Sequence, residues 1–367
     1  MKIVKTGEIT RIFPDDLKTF DEIPVGNYKV GFHPMMGFFL EDADSFNVNE
    51  KPYGKHPDKI EKVIRLYNNI ERSVGVILSG RKGMGKSMFA RLLSANFAET
   101  HNMPTIIVTE AYPGIVDFIE SIKQECVVMF DEFEKVFDNS DKKEPQDKLL
   151  SLFDGLSQTK RLYVVTVNEI RRVNQYMINR PGRFHYHLQF NYPSAEEIEM
   201  YLKDKLSPEY HNQISLVQRF ANRFDLNYDS LRAIAFELNL GYGFLETMED
   251  LNISSSENEA AKYNVTIHHS NGVIANAEVN LNLLSSQASI RYSTPTSEYG
   301  YIEFSPLEIE IQSKESFTAH ADQVPMTVMF DDENETITDE NGIKLEKLVF
   351  TKKYTTVQYG KEFKDLA

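Results

Sequence analysis

Residues 80–87 read GRKGMGKS, and this octapeptide restricts the possible folds more than any other feature of the chain. It satisfies G-x-x-x-x-G-K-[ST] and lies between an apolar strand pattern, Val74–Leu78, and a helical pattern, Lys86–Phe97. That context belongs to an α/β sheet. The backbone N–H groups of the loop must close around a phosphate while the positive end of the following helix points at the same place. Gly80, Gly83 and Gly85 permit the tight turn, and the backbone from Met84 to Met88 completes the cradle. Lys86 can reach the β- and γ-phosphates, and Ser87 can offer its hydroxyl to Mg²⁺. The expected ligand is a nucleoside triphosphate with Mg²⁺.

Around the loop, residues 51–245 alternate strand and helix patterns, as a parallel sheet with crossover helices requires. A helix over Asp58–Asn69 precedes the loop. Strands follow at Thr105–Thr109, Cys126–Phe130, Leu162–Val167 and Tyr186–Phe190, with helices at Ile115–Gln124 and Gln146–Leu156 and three more helical patterns between Ala195 and Leu240. CVVMF is apolar throughout, so both of its faces are buried, and the acids that end it are tolerable only at an edge or a site. One strand–helix–strand unit after a phosphate loop, Asp131 is expected to hold Mg²⁺ with Ser87, and Glu132 to polarise an attacking water. Glu134, two residues on, reads as a solvated residue at a helix start. Asn168 ends the strand RLYVVTVN at the carboxyl edge of the sheet, where open α/β sheets bind ligands. Its competing reading is a loop residue capping the next segment.

LLSLFDGL (Leu149–Leu156), the strand ending in Asn168, and INRPGRF (Ile178–Phe184) follow these motifs in order. The order resembles the second region of homology of AAA proteins, a family of P-loop ATPases within the AAA+ superfamily. Phe153 stands where their helix motif usually has Leu. Mitochondrial complex III assembly ATPases and protein-unfolding AAA ATPases carry segments like these, and the whole chain looks like AAA ATPases encoded by tailed bacteriophages. The resemblance implies ATP hydrolysis with Asn168 as a sensor. It also implies that Arg180 and Arg183 are arginine fingers reaching the γ-phosphate of a neighbouring subunit. A permanently charged fork suits that task, and such a finger is worth about 10³–10⁵ in rate. The helices after Ala195 resemble the AAA+ lid, with Arg232 at the place of a second sensor arginine; a salt-bridged surface arginine is the alternative. Tyr53-Gly54 resembles the segment that contacts adenine, against a plain turn. Tyr112-Pro113-Gly114 falls in the region of the family's pore loop, but close to the strand and with proline in the middle, so an ordinary turn competes.

The flanks are of different character. Tyr28–Phe32 and Gly37–Leu40, interspersed with Pro14, Pro24 and Pro34, read as short strands. Asn252–Ala260, NISSSENEA, reads as a linker. Beyond it Ala277–Leu284 and Leu307–Ile311 alternate with period two, and Asn271-Gly272 and Asn341-Gly342 are hairpin signals. The expected organisation is therefore an N-terminal β-rich region (1–48), an AAA+ α/β core (49–192), a helical lid (193–250), a linker (251–261) and a C-terminal all-β domain (262–367).

A net charge of −15 repels a phosphate backbone and lowers the expectation of broad nucleic-acid binding. No apolar run is long enough for a membrane span. Cys126 stands alone, which fits a reducing cytoplasm, that of the host if the chain is phage-encoded. His185, His187, His268 and His269 lack zinc-site spacing. The expected function is a homo-oligomeric ring, a hexamer, that remodels or assembles a protein target. The alternative is a nucleic-acid motor or replication accessory, for which Lys160-Arg161 and Arg171-Arg172 are the nearest basic pairs. A nucleotide-switched scaffold is the third reading, and Glu132, Arg180 and Arg183 speak against it.

Overall fold

Strands that are apolar on both faces need helices on both sides, and the first part of the chain is built on that plan. The computed structural model describes residues 2–13, 18–46, 51–53, 56–137, 146–154, 159–178, 182–251, 253, 260–283, 285–293, 299–311, 313–330, 335–336 and 344–353. These form two units, Met1–Pro193 and Ser194–Ala367.

The first unit opens with a hairpin, β1 (Lys2–Thr6) and β2 (Ile9–Phe13), and a second hairpin, β3 (Asn27–His33) and β4 (Gly37–Ala43). Then follow α1 (His56–Asn69), β5 (Val74–Ser79), α2 (Lys86–His101), β6 (Thr105–Val108), α3 (Ile115–Ser121), β7 (Cys126–Phe130), α4 (Phe133–Val136), α5 (Gln146–Phe153), β8 (Arg161–Val167), α6 (Gln175–Ile178) and β9 (Tyr186–Gln189). Seven strands make one sheet in the order β4-β3-β6-β7-β8-β5-β9. All its pairings are parallel except β3 with β4. β3 lies beside β6 from Asn27↔Thr105 to Lys29↔Ile107, so the N-terminal hairpin extends the core sheet rather than standing apart from it.

Side-chain alternation divides this sheet's core in two. Ile77, Val128, Phe130 and Val165 belong to one cluster. Val76, Leu78, Val127 and Val164 belong to the other, against Phe89, Leu93 and Phe97 of α2. The chain leaves β5 for β6, which lies beyond both β8 and β7. That reversal leaves the carboxyl ends of β5, β8 and β7 side by side, a crevice of the kind in which α/β sheets bind ligands.

The second unit begins with α7 (Ala195–Lys205), opened by a capping box between Ser194 and Glu197, then α8 (Ile214–Ala221), α9 (Tyr228–Asn239) and α10 (Phe244–Asp250). The strands β10 (Ala261–His269), β11 (Ile274–Leu281), β12 (Ala288–Ser293), β13 (Tyr299–Phe304), β14 (Ser316–His320), β15 (Met326–Phe330), β16 (Glu335–Thr336) and β17 (Leu345–Lys352) form two antiparallel sheets, β11-β10-β17-β14 and β12-β13-β15-β16. Ile267, Ile290, Ile302, Leu348 and Phe350 fill their shared core. Asn271-Gly272 makes the β10–β11 turn, with Gly272 at φ 83°. Asn341-Gly342 lies outside the described residues.

Leu307–Ile311 is not the strand that its alternation suggests. Pro306–Glu308 forms a 3₁₀ turn, and the carbonyls of the segment are bonded elsewhere. Arg223, just past α8, donates Nη1 to Leu283 O (3.0 Å) and Pro306 O (3.2 Å), and Nη2 to Leu307 O (2.9 Å) and Ile309 O (2.7 Å). Asn222 Nδ2 takes Ile311 O at 3.0 Å, and Lys314 pairs with Asp225 at 2.5 Å. The helices and the β-sandwich of this unit are therefore bonded to each other through one short segment.

Candidate functional site

The loop after β5 starts at Gly80, whose N–H donates to Val167 O at 3.1 Å and ties it to the end of β8. Gly83 and Gly85 take φ of 80° and 84°, the left-handed turn that glycine makes without steric cost. Gly85 leads into α2, and the buried face of that helix begins with Lys86. The loop borders a cleft lined by Ser79, Gly80, Arg81, Met84, Asn168 and Phe190. Ser87 is exposed, Met88 half-buried and Met84 buried.

Gly80 has no room for a side chain. A Cβ there would stand 2.2 Å from Phe190 O, at a φ of 150°. Gly80→Ala is expected to cost about 2–4 kcal/mol through overpacking and backbone strain. The check is the thermal midpoint of the variant, and an unchanged midpoint would contradict it.

Three acids and one ammonium group define the chemistry. Lys86 Nζ donates to Gly80 O (2.5 Å), Arg81 O (2.8 Å) and Asn168 Oδ1 (2.9 Å). Burial lowers its pKa, and the charges of Glu134, Asp131 and Glu132 oppose that shift. Asp131 Oδ1 accepts from Thr166 Oγ1 at 2.6 Å, and Thr166 Oγ1 in turn accepts from Glu132 N at 2.9 Å. Glu132 holds the left-handed conformation, φ 48°, at the N-terminus of α4. A non-glycine residue there is strained, and such strain gathers at functional sites. Its Oε1 accepts from Lys135 Nζ (2.8 Å) and Asn168 Nδ2 (3.3 Å). The bond from Lys135 keeps Glu132 below the ordinary carboxylate range. Asn168 thus links the loop lysine to the acid that ends β7.

Glu134 departs from the sequence reading of a solvated helix start. It is 1% exposed, and its Oε1 accepts the Asn168 N–H at 3.1 Å. Phe133 packs on Phe130 and Phe137 and turns α4 so that its neighbour faces inward. Thr166 was missed as well, because a β-branched residue inside an apolar strand gives no sign beyond strand propensity.

Arg183 is buried and engaged within its own chain. Its Nε and Nη2 both bond Asp154, and Nη1 donates to Tyr176 O at 3.0 Å. Arg180 lies outside the described residues, as does Gly54. Tyr53 is buried, with Lys51 Nζ 5.9 Å from its ring centre. Arg232 is exposed on α9, in the second unit. Tyr112 packs against Phe32 and Phe38 of the β3–β4 hairpin, at centroid distances of 5.8 and 6.2 Å, which turns the ring toward its own subunit. Of the basic pair Lys160-Arg161, Arg161 is fully buried and donates to Ile119 O and Ile122 O, and Lys160 Nζ donates to Tyr67 O. His187 meets Ser79 Oγ at 2.6 Å.

Residues 76–192 match the model of the ATPase family associated with various cellular activities (AAA). Among solved structures, the chain is similar to the RuvB Holliday junction branch migration motor of Thermotoga maritima, at 15% identity over 55% of this chain and 71% of that one, with a TM-score of 0.40. A variant of the same Thermotoga maritima protein gives 16% identity over the same shares, also at 0.40. No curated protein matches the chain. The phosphate loop, the acids at the end of β7 and Asn168 all fall inside the matched segment, which is an AAA+ P-loop ATPase core.

Proposed function

We propose, taking residues 76–192 as an AAA ATPase core, that the chain works as a ring, a hexamer, that remodels or assembles a protein target. The observation that carries this reading is the clasp of Arg223 on four carbonyls. It couples helices that resemble an AAA+ lid to the β-sandwich, so a nucleotide-driven movement of those helices takes the sandwich with it. The sandwich is then the element that engages the target.

In this reading Lys86 leaves Gly80 O, Arg81 O and Asn168 for the β- and γ-phosphates. Glu132 polarises the attacking water, and Asn168 helps to orient it. Ser87 and Asp131 would hold Mg²⁺, which supplies charge neutralisation on the phosphates when bound. Among the described residues no group of three or more His, Cys, Asp or Glu side chains could hold a metal ion. One hydroxyl and one carboxylate suit an ion that takes its remaining oxygens from phosphate and water. Tyr53-Gly54 is assigned to adenine and Arg232 to the phosphate end of the nucleotide. Arg180 is assigned as the finger acting on a neighbouring subunit, and Arg183, paired with Asp154, as the anchor of its loop. Phe236, Leu240 and Leu245 are 63, 59 and 76% exposed on the lid-like helices, apolar surface that ring contacts would cover. Among the described residues no helix is long and apolar enough to cross a membrane.

The test is a pull-down with tagged Glu132→Gln protein in ATP, with and without nuclease, alongside its mass in solution. A ring holding a nuclease-resistant protein partner is expected. A nucleic acid in place of the protein would overturn the target class, and wild-type protein that stays a monomer in ATP while hydrolysing it at full rate would overturn the ring.

A further inference from the structure

Two backbone amides lie just past the ends of β7 and β8, where no ladder partner remains for them, and the site satisfies both with side chains. Glu132 N donates to Thr166 Oγ1 of β8, and Asn168 N donates to Glu134 Oε1 of α4. The two bonds run in opposite directions between the same pair of chain segments and latch them together. We propose that Glu134 is a positioning residue of the hydrolytic site, whose buried carboxylate fixes the Asn168 main chain so that the Asn168 side chain is aimed between Lys86 and Glu132. The proposal rests on the ATPase reading and adds to it a residue that acts through Asn168.

The geometry carries it in three steps. Val167, the last residue of β8, is held from the loop side by the Gly80 N–H. Asn168, the next residue, is held from the acid side by Glu134. With its main chain fixed on both sides, the short Asn168 side chain has little freedom left, and it spans from Lys86 Nζ at 2.9 Å to Glu132 Oε1 at 3.3 Å. When Lys86 turns to phosphate, Asn168 Oδ1 loses that donor while its backbone stays in place. The amide is then free to orient a water beside Glu132.

A residue kept only to fill space would not be an acid. Glu134 is 1% exposed, and its Oε2 has no hydrogen-bond partner among the described residues. Burying a carboxylate so incompletely paired disfavours the fold, and such groups persist where the site uses them.

The experiment is a double-mutant cycle on ATP turnover in the full chain, with Glu134→Met, Asn168→Ala and their combination, and with Glu134→Gln as the conservative variant. Glu134→Met should lower kcat about tenfold or more, with KM and the affinity for a fluorescent ATP analogue held within about twofold. In the Asn168→Ala background the same change should cost less than about twofold further, since the residue acts through that side chain. Glu134→Gln, which keeps an acceptor for the amide, should recover most of the loss. Thermal midpoints and analogue binding show that each variant is folded. The assignment is overturned if Glu134→Met keeps kcat near wild type, if its effect multiplies fully with Asn168→Ala, or if Glu134→Gln is as impaired as Glu134→Met. A wild-type chain that fails to hydrolyse ATP would overturn the ATPase reading together with it.

Discussion

Replacing Glu132 with Gln is expected to slow ATP hydrolysis by about 10²–10⁴-fold, the range for removal of a positioned general base, while nucleotide affinity stays close to wild type. The two effects separate because binding and chemistry rest on different groups. The glycine loop and Lys86 approach the phosphates from β5 and α2, whereas Glu132 stands at the end of β7. Gln keeps the length of the side chain and can still accept from Asn168 Nδ2, now 3.3 Å from Glu132 Oε1. It loses the basicity needed to take a proton and the charge that attracts Lys135. That ion pair is solvent-exposed, with side chains 54 and 42% exposed, so the fold loses little with it. The left-handed backbone at φ 48° is kept from Glu to Gln, so the geometry of the latch to Thr166 is unaffected. Phosphate release measures the rate, and a fluorescent ATP analogue measures binding. A variant turning over within about threefold of wild type would remove Glu132 from the role of base.

What the sequence revealed of this site was whatever is local along the chain. GRKGMGKS needs only its own spacing, and Asp131-Glu132 is marked by the five apolar residues before it. Asn168 is visible as the polar end of an apolar strand. The contacts that organise these residues are not local. Thr166 and Asp131 are 35 positions apart, Asp154 and Arg183 are 29, and Asn168 and Glu134 are 34. No periodicity connects such pairs; they follow from the order of strands in the sheet. Glu134 was misread because α4 has only four residues, too few to show an amphipathic pattern, and its inward face is set by Phe133 packing on Phe130 and Phe137. The fold was more legible, since the central strands β5, β7 and β8 are mostly apolar and buried along their whole length. The exceptions again arise from distant partners. The β3–β4 hairpin has the look of a separate small region until its pairing with β6 is known, and LEIEI alternates like a strand although its carbonyls are bonded to a helix end.

Arg223→Ala is expected to destabilise the second unit by about 2–4 kcal/mol, through loss of charge-assisted bonds to four carbonyls that water can only partly replace. For a unit of this size that corresponds to a fall of about 5–15 °C in its thermal midpoint. The guanidinium is half-buried, and burial lowers its pKa. Its planar fork reaches carbonyls from two separate stretches, Leu283 and Pro306–Ile309, at once. Arg223→Lys should recover less than half of the loss, because an ammonium has three donors on one point and cannot span both stretches. The form of the transition is as informative as its position. With the clasp intact, α7–α10 and the sandwich should unfold together; without it, calorimetry should resolve two transitions, since Asn222 with Ile311 and Lys314 with Asp225 are then the remaining named polar ties. The ATPase core lies in the other unit, so basal nucleotide binding should persist. On the proposed function, work on a target should fall well below what the remaining ATP turnover would support, because the helices would then move without taking the sandwich along. A variant that unfolds as one unit at the wild-type temperature would show that Arg223 does not couple the two parts. Equal loss of hydrolysis and target activity would show that these helices do not move the sandwich.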